Sequence, residues 1–181
     1  PKGVIYSHRG IVLHSMMEAQ HDTIGFRERD VVLPIVPMFH ANCWGVPYTS
    51  AMVGATQVLN GIRPDPEVIC RLIDSEKVTL SLGVPTIWIG VLDHLERSDK
   101  TYDFSSLREI VSGGSAVPIS LIQAYKEKLD VNLIQAYGMT EATPVISYNR
   151  PTTVFDGNSE DEKLQLAGTQ GAIVPGVEMR L

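Results

Sequence analysis

A chain of 181 residues, 44% hydrophobic and 20% charged, has the make-up of one globular unit with a sizeable core, which excludes a disordered or fibrous chain. Fifteen Lys and Arg against 21 Asp and Glu give a net charge of −6, which argues against a nucleic-acid binder. It leaves room for an anionic small ligand held locally by backbone amides, one Lys or a metal ion.

Along the chain, helical and strand periods alternate. Ser7 is placed to cap a helix over 8–20, with Ile11, Val12, Ser15 and Met16 along one face. Val31 to Val36 is a short apolar run, read as a buried strand. The stretch from His40 to Met52 reads as a helix, with Pro47 kinking it or lying near its start. Thr56 to Leu59 is strand-like and ends in the turn pair Asn60-Gly61. Asp65 then caps and Pro66 opens a helix whose stripe is Val68, Ile69, Leu72 and Ile73. A strand over 78–84 follows, and Pro85 opens a helix through Trp88, Val91, Leu92 and Leu95. A strand over 107–111 runs into Ser112-Gly113-Gly114, Pro118 opens a helix with Leu121, Ile122, Tyr125 and Leu129 inward, and 131–134 is the next strand. Residues 156–163 are polar and acidic, a surface loop or short helix.

Such alternation with short connections predicts an α/β fold, a mainly parallel sheet flanked by helices. Ligands of such sheets gather beyond the carboxyl ends of the strands, which singles out the loops 112–117 and 137–143. Cys43 and Cys70 lie 27 positions apart in apolar stretches and read as buried reduced thiols. No run of 18 apolar residues and no charged-then-apolar leader is present, so a cytoplasmic setting is expected. His14 and His21, seven apart, find no third ligand of suitable spacing and read as surface or core histidines.

The most informative stretch is Gln135-Ala136-Tyr137-Gly138-Met139-Thr140-Glu141. Tyr137 offers a flat face to a purine, and Gly138 lets the backbone approach a ligand closely. The Thr140 hydroxyl can donate to a phosphate oxygen, and Glu141 suits a hard cation such as Mg²⁺. The same residues also suit a plain strand-to-helix turn with Thr140 as its cap.

Tyr-Gly-Met-Thr-Glu resembles the signature of the adenylate-forming superfamily, which includes acyl-CoA synthetases. The resemblance implies that Tyr137 stacks on adenine, Thr140 contacts the α-phosphate and Glu141 helps hold Mg²⁺, with Gln135, Ala136, Gly138 and Met139 forming the surrounding nucleotide site. Pro1-Lys2-Gly3-Val4 resembles the tail of the family's phosphate loop, with Lys2 at the phosphates. Pro37-Met38-Phe39-His40 followed by Trp44 resembles the segment lining the acyl pocket. There His40 borders the substrate carboxylate and Trp44 resembles a gate residue; the alternative is that His40 caps a helix and Trp44 is core. Ser112-Gly113-Gly114-Ser115 resembles the glycine pair that faces adenine and the acyl chain. A hydrolase elbow fails there, since Gly113-Gly114-Ser115-Ala116-Val117 lacks the final Gly. Gly168 to Gly171 and Val174 to Glu178 resemble the lead into the next subdomain.

These motifs stand in family order along the chain and point towards bacterial medium- or long-chain fatty-acyl-CoA synthetases. The resemblance implies that a fatty acid and ATP give acyl-AMP and pyrophosphate, and that coenzyme A then takes the acyl group. The chain starts inside a motif, without Met, and closes on a strand-like run at 177–181. It is therefore read as an internal piece of the large N-terminal domain, without the Gly-rich loop, the ribose-binding Asp or the C-terminal domain, and inactive alone. An aryl or short-chain acid, or a truncated chain that only binds or oligomerises, are the other readings. The family also implies a homodimer.

Overall fold

Local chemistry sets most element starts. The computed structural model describes residues 3–62 and 65–180; Lys2 and Leu181 lie outside them. Helix α1 (His8–Glu18) begins behind Ser7, whose hydroxyl accepts the Gly10 amide at 3.0 Å. Strand β1 (Val31–Pro34) follows. The right-handed helix expected from His40 is instead two pieces: α2 (Ala41–Trp44), a single turn with positive φ at all four residues, and α3 (Val46–Val53), right-handed. Pro47 sits in the first turn of α3, where its missing N–H costs nothing.

β2 (Thr56–Gln57) and α4 (Pro66–Ser75) come next, with the Asp65 carboxylate accepting the Val68 amide at 2.8 Å. They are followed by β3 (Leu80–Gly83), α5 (Pro85–Arg97), β4 (Glu109–Ser112), α6 (Ile119–Leu129) and β5 (Asn132–Gly138). β6 (Val145–Tyr148), α7 (Glu160–Ala167) and β7 (Ala172–Ile173) complete the set. A capping box at Ser159 and Glu162 starts α7, so the acidic stretch is a surface helix preceded by a loop.

The sheet order is β2-β1-β3-β4-β5-β6-β7. The first five strands are parallel, while β5–β6 and β6–β7 are antiparallel, so the α/β class holds with an antiparallel edge. β5 runs four residues past the expected 131–134 because it changes partner. Asn132 to Gln135 pair with β4, and Ala136 to Gly138 pair with β6. The strand expected at 177–181 is absent from the described residues 177–180.

Helices α4, α5 and α6 cover one face of the sheet with an apolar cluster around Ile73, Trp88, Val91, Ile110 and Tyr125. The other face packs Met17, Phe26, Trp44, Val46, Leu82 and Tyr148 under α1 and α3. On α1 the buried face is His14, Ser15, Met17 and Glu18, whereas Val12 and Met16, expected inward, are exposed. An apolar count misplaces the stripe there because the inward face carries polar groups, of which His14 and Glu18 find partners on β6 and α3. Among the described residues no helix is long and apolar enough to cross a membrane.

Candidate functional site

At the carboxyl ends of β4 and β5 a cleft of about 180 Å³ opens. It is lined by His40, Ala41 and Trp44, by Gly113 and Gly114, and by the run Ala136 to Thr140 with Pro144 and Val145. Both loops singled out from the α/β pattern therefore reach one place, together with the turn after β1.

The run after β5 is a tight hairpin corner, not the start of a helix. The Met139 amide donates to the Pro144 carbonyl at 2.8 Å, and Thr140 to Ala142 form one 3-10 turn. The loop closes through Thr143 at φ 69°. Gly138 is required by close approach: a Cβ there would stand 2.4 Å from the Pro144 carbonyl oxygen. From the other side, the Tyr6 hydroxyl donates to the Thr140 carbonyl at 2.5 Å, tying the segment before α1 to this corner. Tyr137 is 41% exposed and lines the cleft.

The glycine pair serves a different neighbour. A Cβ on Gly113 would lie 2.7 Å from the Ala136 carbonyl oxygen and 3.5 Å from the Trp44 ring. Gly114, at φ 82°, also has the Trp44 ring within 3.9 Å of its Cβ position. The indole of Trp44 thus lies in van der Waals contact with the pair, while a side chain at Gly113 would meet the Ala136 carbonyl and one at Gly114 would be strained by its positive φ. Trp44 is 9% exposed: it belongs to the apolar cluster and also walls the cleft, so both readings of it meet in one side chain. His40 is exposed, lines the cleft and makes no side-chain cap bond. The shared helical face expected for His40 and Trp44 is replaced by the left-handed turn between them, which brings both to the same cleft.

Three candidates stand outside the lining. Ser115 is exposed beyond the glycine pair. Gln135 is buried, and its amide is consumed: Oε1 accepts the Val117 amide at 2.6 Å and Nε2 donates to the Thr169 carbonyl at 2.9 Å. It braces the glycine loop against the stretch after α7. Glu141 is exposed next to Thr140. Lys2 lies outside the described residues. Ala41, Pro144 and Val145 line the cleft without having been singled out; Pro144 directly follows the signature loop, which is the one signal that pointed to it.

Among the described residues no three His, Cys, Asp or Glu side chains gather to hold a metal. A hard cation at Glu141 would therefore draw a single carboxylate from the described residues, which is compatible with a cation that keeps much of its water. Cys43 and Cys70 are both free and buried, as expected, and burial pushes the Cys43 thiol up to about 11.

Behind the cleft lies a buried polar cluster that sequence reading passed over. Glu18 is fully buried, and burial raises its carboxyl to about 8 against the opposing hydrogen bonds from Thr49 and Tyr148. Burial lowers the neighbouring His14 to about 4. At neutral pH the two are an acid and a neutral imidazole, not an ion pair.

The profile of the family described as AMP-binding enzyme matches residues 1–181. The chain is 45% identical over 181 residues to a long-chain-fatty-acid–CoA ligase of Thermus thermophilus, covering 100% of this chain and 33% of that protein. A medium-chain-fatty-acid–CoA ligase of Ectopseudomonas oleovorans is likewise 45% identical, with the same coverage. The crystal structure of a long-chain-fatty-acid–CoA ligase from Archaeoglobus fulgidus superposes with a TM-score of 0.79 at 27% identity, over 96% of this chain and 34% of that one. The chain thus spans about a third of the length of the curated relatives it matches.

Proposed function

The chain belongs to the AMP-binding enzyme family, and from that premise we propose that it forms the nucleotide- and acyl-facing part of the large N-terminal domain of an ATP-dependent fatty-acid–CoA ligase. The observation that carries this reading is the meeting in one cleft of the Tyr137–Thr140 corner with Trp44 and the glycine pair. One half suits a nucleotide, and the other suits an apolar chain whose carboxylate reaches the first.

In the proposed reaction the fatty-acid carboxylate attacks the α-phosphorus of ATP, the bond to the bridging oxygen breaks and pyrophosphate leaves. The thiol of coenzyme A then attacks the acyl carbon, and AMP leaves as the thioester forms. The first step brings an anion to an anion, so the protein's work is positioning and charge neutralisation. Tyr137 stacks on the adenine, and Thr140 donates its hydroxyl to an α-phosphate oxygen. Gly138 and Met139 let the backbone pass close to the nucleotide, and His40 borders the carboxylate. Glu141 holds Mg²⁺, which when bound neutralises charge on the phosphates. The wall of Trp44 and Gly113, both buried, keeps water from the mixed anhydride. A cytoplasmic setting goes with this reading, since ATP and coenzyme A are its substrates.

The test is ATP–pyrophosphate exchange by the full-length protein with acids from acetate to palmitate, comparing wild type with Glu141→Ala. We expect exchange to peak with a medium or long chain and to fall about a hundredfold or more in the variant, the usual size of losing one charge-stabilising group. Exchange with no fatty acid at all would remove the substrate class and leave only the family.

The cleft itself favours a second reading. With Trp44 against the glycine pair, about 180 Å³ is smaller than the roughly 300–1,000 Å³ of most ligand pockets, which suits a short or aromatic acid. Exchange that peaks with such an acid, and shifts to longer ones in Trp44→Ala, would select it.

A further inference from the structure

Four elements meet at Glu18: α1, the left-handed turn α2, α3 and β6. Thr49 Oγ1 lies 2.5 Å from Glu18 Oε2 and 3.3 Å from the Gly45 carbonyl oxygen. The Tyr148 hydroxyl donates to Oε1 at 3.3 Å. His14 Nδ1 is 3.7 Å from Oε2, while its Nε2 accepts the Val145 amide at 3.4 Å. Gly45, at φ 83°, closes the cluster: a Cβ there would stand 2.5 Å from His14 Cε1 and 3.2 Å from Glu18 Oε2.

Gly45 is also the residue that follows Trp44. Ala41, Asn42, Cys43 and Trp44 have φ of 45°, 51°, 55° and 55°, a run that L-residues avoid because Cβ crowds the following carbonyl. Such a turn persists only where its surroundings hold it. Its start is held by Cys43, whose amide donates to the His40 carbonyl at 2.9 Å and whose thiol donates to the Val36 carbonyl at 3.1 Å. Its end is held at Gly45, whose carbonyl accepts the Thr49 amide at 3.1 Å and lies within reach of the Thr49 hydroxyl.

We propose that Glu18 is a positioning residue which, through Thr49 and Gly45, holds the Ala41–Trp44 turn left-handed and so keeps Trp44 seated on Gly113 and Gly114. The inference rests on the reading of Trp44 as a wall of the acyl site. As a neutral acid, Glu18 donates its O–H to Thr49 Oγ1, and the Thr49 hydroxyl is free to donate to the Gly45 carbonyl. As a carboxylate it takes the Thr49 hydroxyl for itself, and the end of the turn loses that bond. The groups facing Glu18 are His14 from α1, Cys43 from α2, Thr49 from α3 and Tyr148 from β6, with Glu109 and Arg150 acting on Tyr148. Cys43 and Tyr148 are both pushed up, and His14 is already neutral above about pH 4, so Glu18 is the one among them that changes charge near pH 8.

The experiment is fluorine NMR of the full-length protein labelled with fluorotryptophan, the Trp44 resonance being assigned by its loss in Trp44→Phe. In wild type the Trp44 resonance moves with a midpoint near pH 8; in Glu18→Gln it stays at its low-pH position. In Thr49→Val it stands at the high-pH position throughout. Across the same range the wild-type KM for the acid rises about fivefold at unchanged kcat, the size of one neutral hydrogen bond, and does not rise in Glu18→Gln. A wild-type Trp44 resonance that ignores pH, or the same titration in Glu18→Gln, overturns the proposal. Should Glu18→Gln not fold, Thr49→Val decides, and a resonance at the wild-type low-pH position there overturns it equally. If the resonance behaves as expected while no acid supports exchange, the positioning role stands and the ligase reading falls.

Discussion

The two faces of the sheet are built on different principles. Under α4, α5 and α6 the core is apolar side chains on regular elements: Trp88 meets Tyr125 edge to face at 6.2 Å, and the Tyr125 hydroxyl donates to the Trp88 carbonyl at 2.8 Å. Under α1 and α3 a buried acid, an imidazole, a threonine and a tyrosine are set among the apolar groups, beside a left-handed turn. The first face packs apolar groups against one another. The second walls the cleft, and its polar contacts fix backbone atoms that apolar packing alone would leave to slide. The difference teaches where to look for function in this fold: at the face whose local rules are broken.

The largest effect should come from breaking the apolar face. Trp88→Ala removes a fully buried ring and is expected to cost about 3–5 kcal/mol in denaturant unfolding, as large cavities in cores do. A loss under about 1 kcal/mol would mean that the face collapses around the gap and is less tightly packed than its contacts imply.

A smaller effect sharpens the other face. Glu18 binds a proton in the folded protein up to about pH 8, where the unfolded chain has already lost it, so stability falls as pH rises towards that value. His14 acts oppositely, because the unfolded chain binds a proton between about pH 4 and pH 6.5 that the folded protein does not. The two slopes offset one another below about pH 6.5. Between there and about pH 8 Glu18 acts alone, for a loss of about 2 kcal/mol in wild type. Unfolding curves over that window should be flat in Glu18→Gln, and an equal slope in both proteins would assign the effect elsewhere.

The smallest effect marks what belongs to neither face. Lys128 on α6 pairs with Glu96 on α5, both well exposed. Lys128→Ala should leave the unfolding midpoint where it is, since water screens the pair. A clear drop would show that the helix layer relies on its surface charges.

On the apolar face the helix starts were legible almost residue by residue, while the strands expected at 78–84 and 107–111 are Leu80–Gly83 and Glu109–Ser112. Asp65-Pro66, Pro85 and Pro118 mark helix starts, and the stripe through Ile69 and Ile73 is the buried one. The polar face was misread where its rules differ. Of the face expected at Ile11, Val12, Ser15 and Met16, Ser15 is buried and Ile11 half-buried while Val12 and Met16 are exposed, and the start of the helix expected from His40 is a turn of opposite hand. In the cleft, the corner from Tyr137 to Thr140, the glycine pair, His40 and Trp44 were identified by motif, whereas the Gln135 side chain turned out to brace two loops. Nothing in a motif says which way a side chain points when its strand changes partner, as β5 does at Ala136.

By itself the sequence determined the α/β class, the order of the elements, the family, and the residue types gathered at the nucleotide corner, because these depend on spacing, caps and short-range chemistry. Only the tertiary structure decided the hand of the turn before Trp44, the burial of Glu18 beside His14 and the seat of the indole on the glycine pair. The burial of the acid and the imidazole depends on groups distant in the chain, Glu18 meeting Tyr148 across 130 positions and His14 meeting Val145 across 131, and the turn is tied to them through Thr49. An unfavourable backbone or a buried acid exists only where such distant partners make up its cost, and local sequence carries no trace of them.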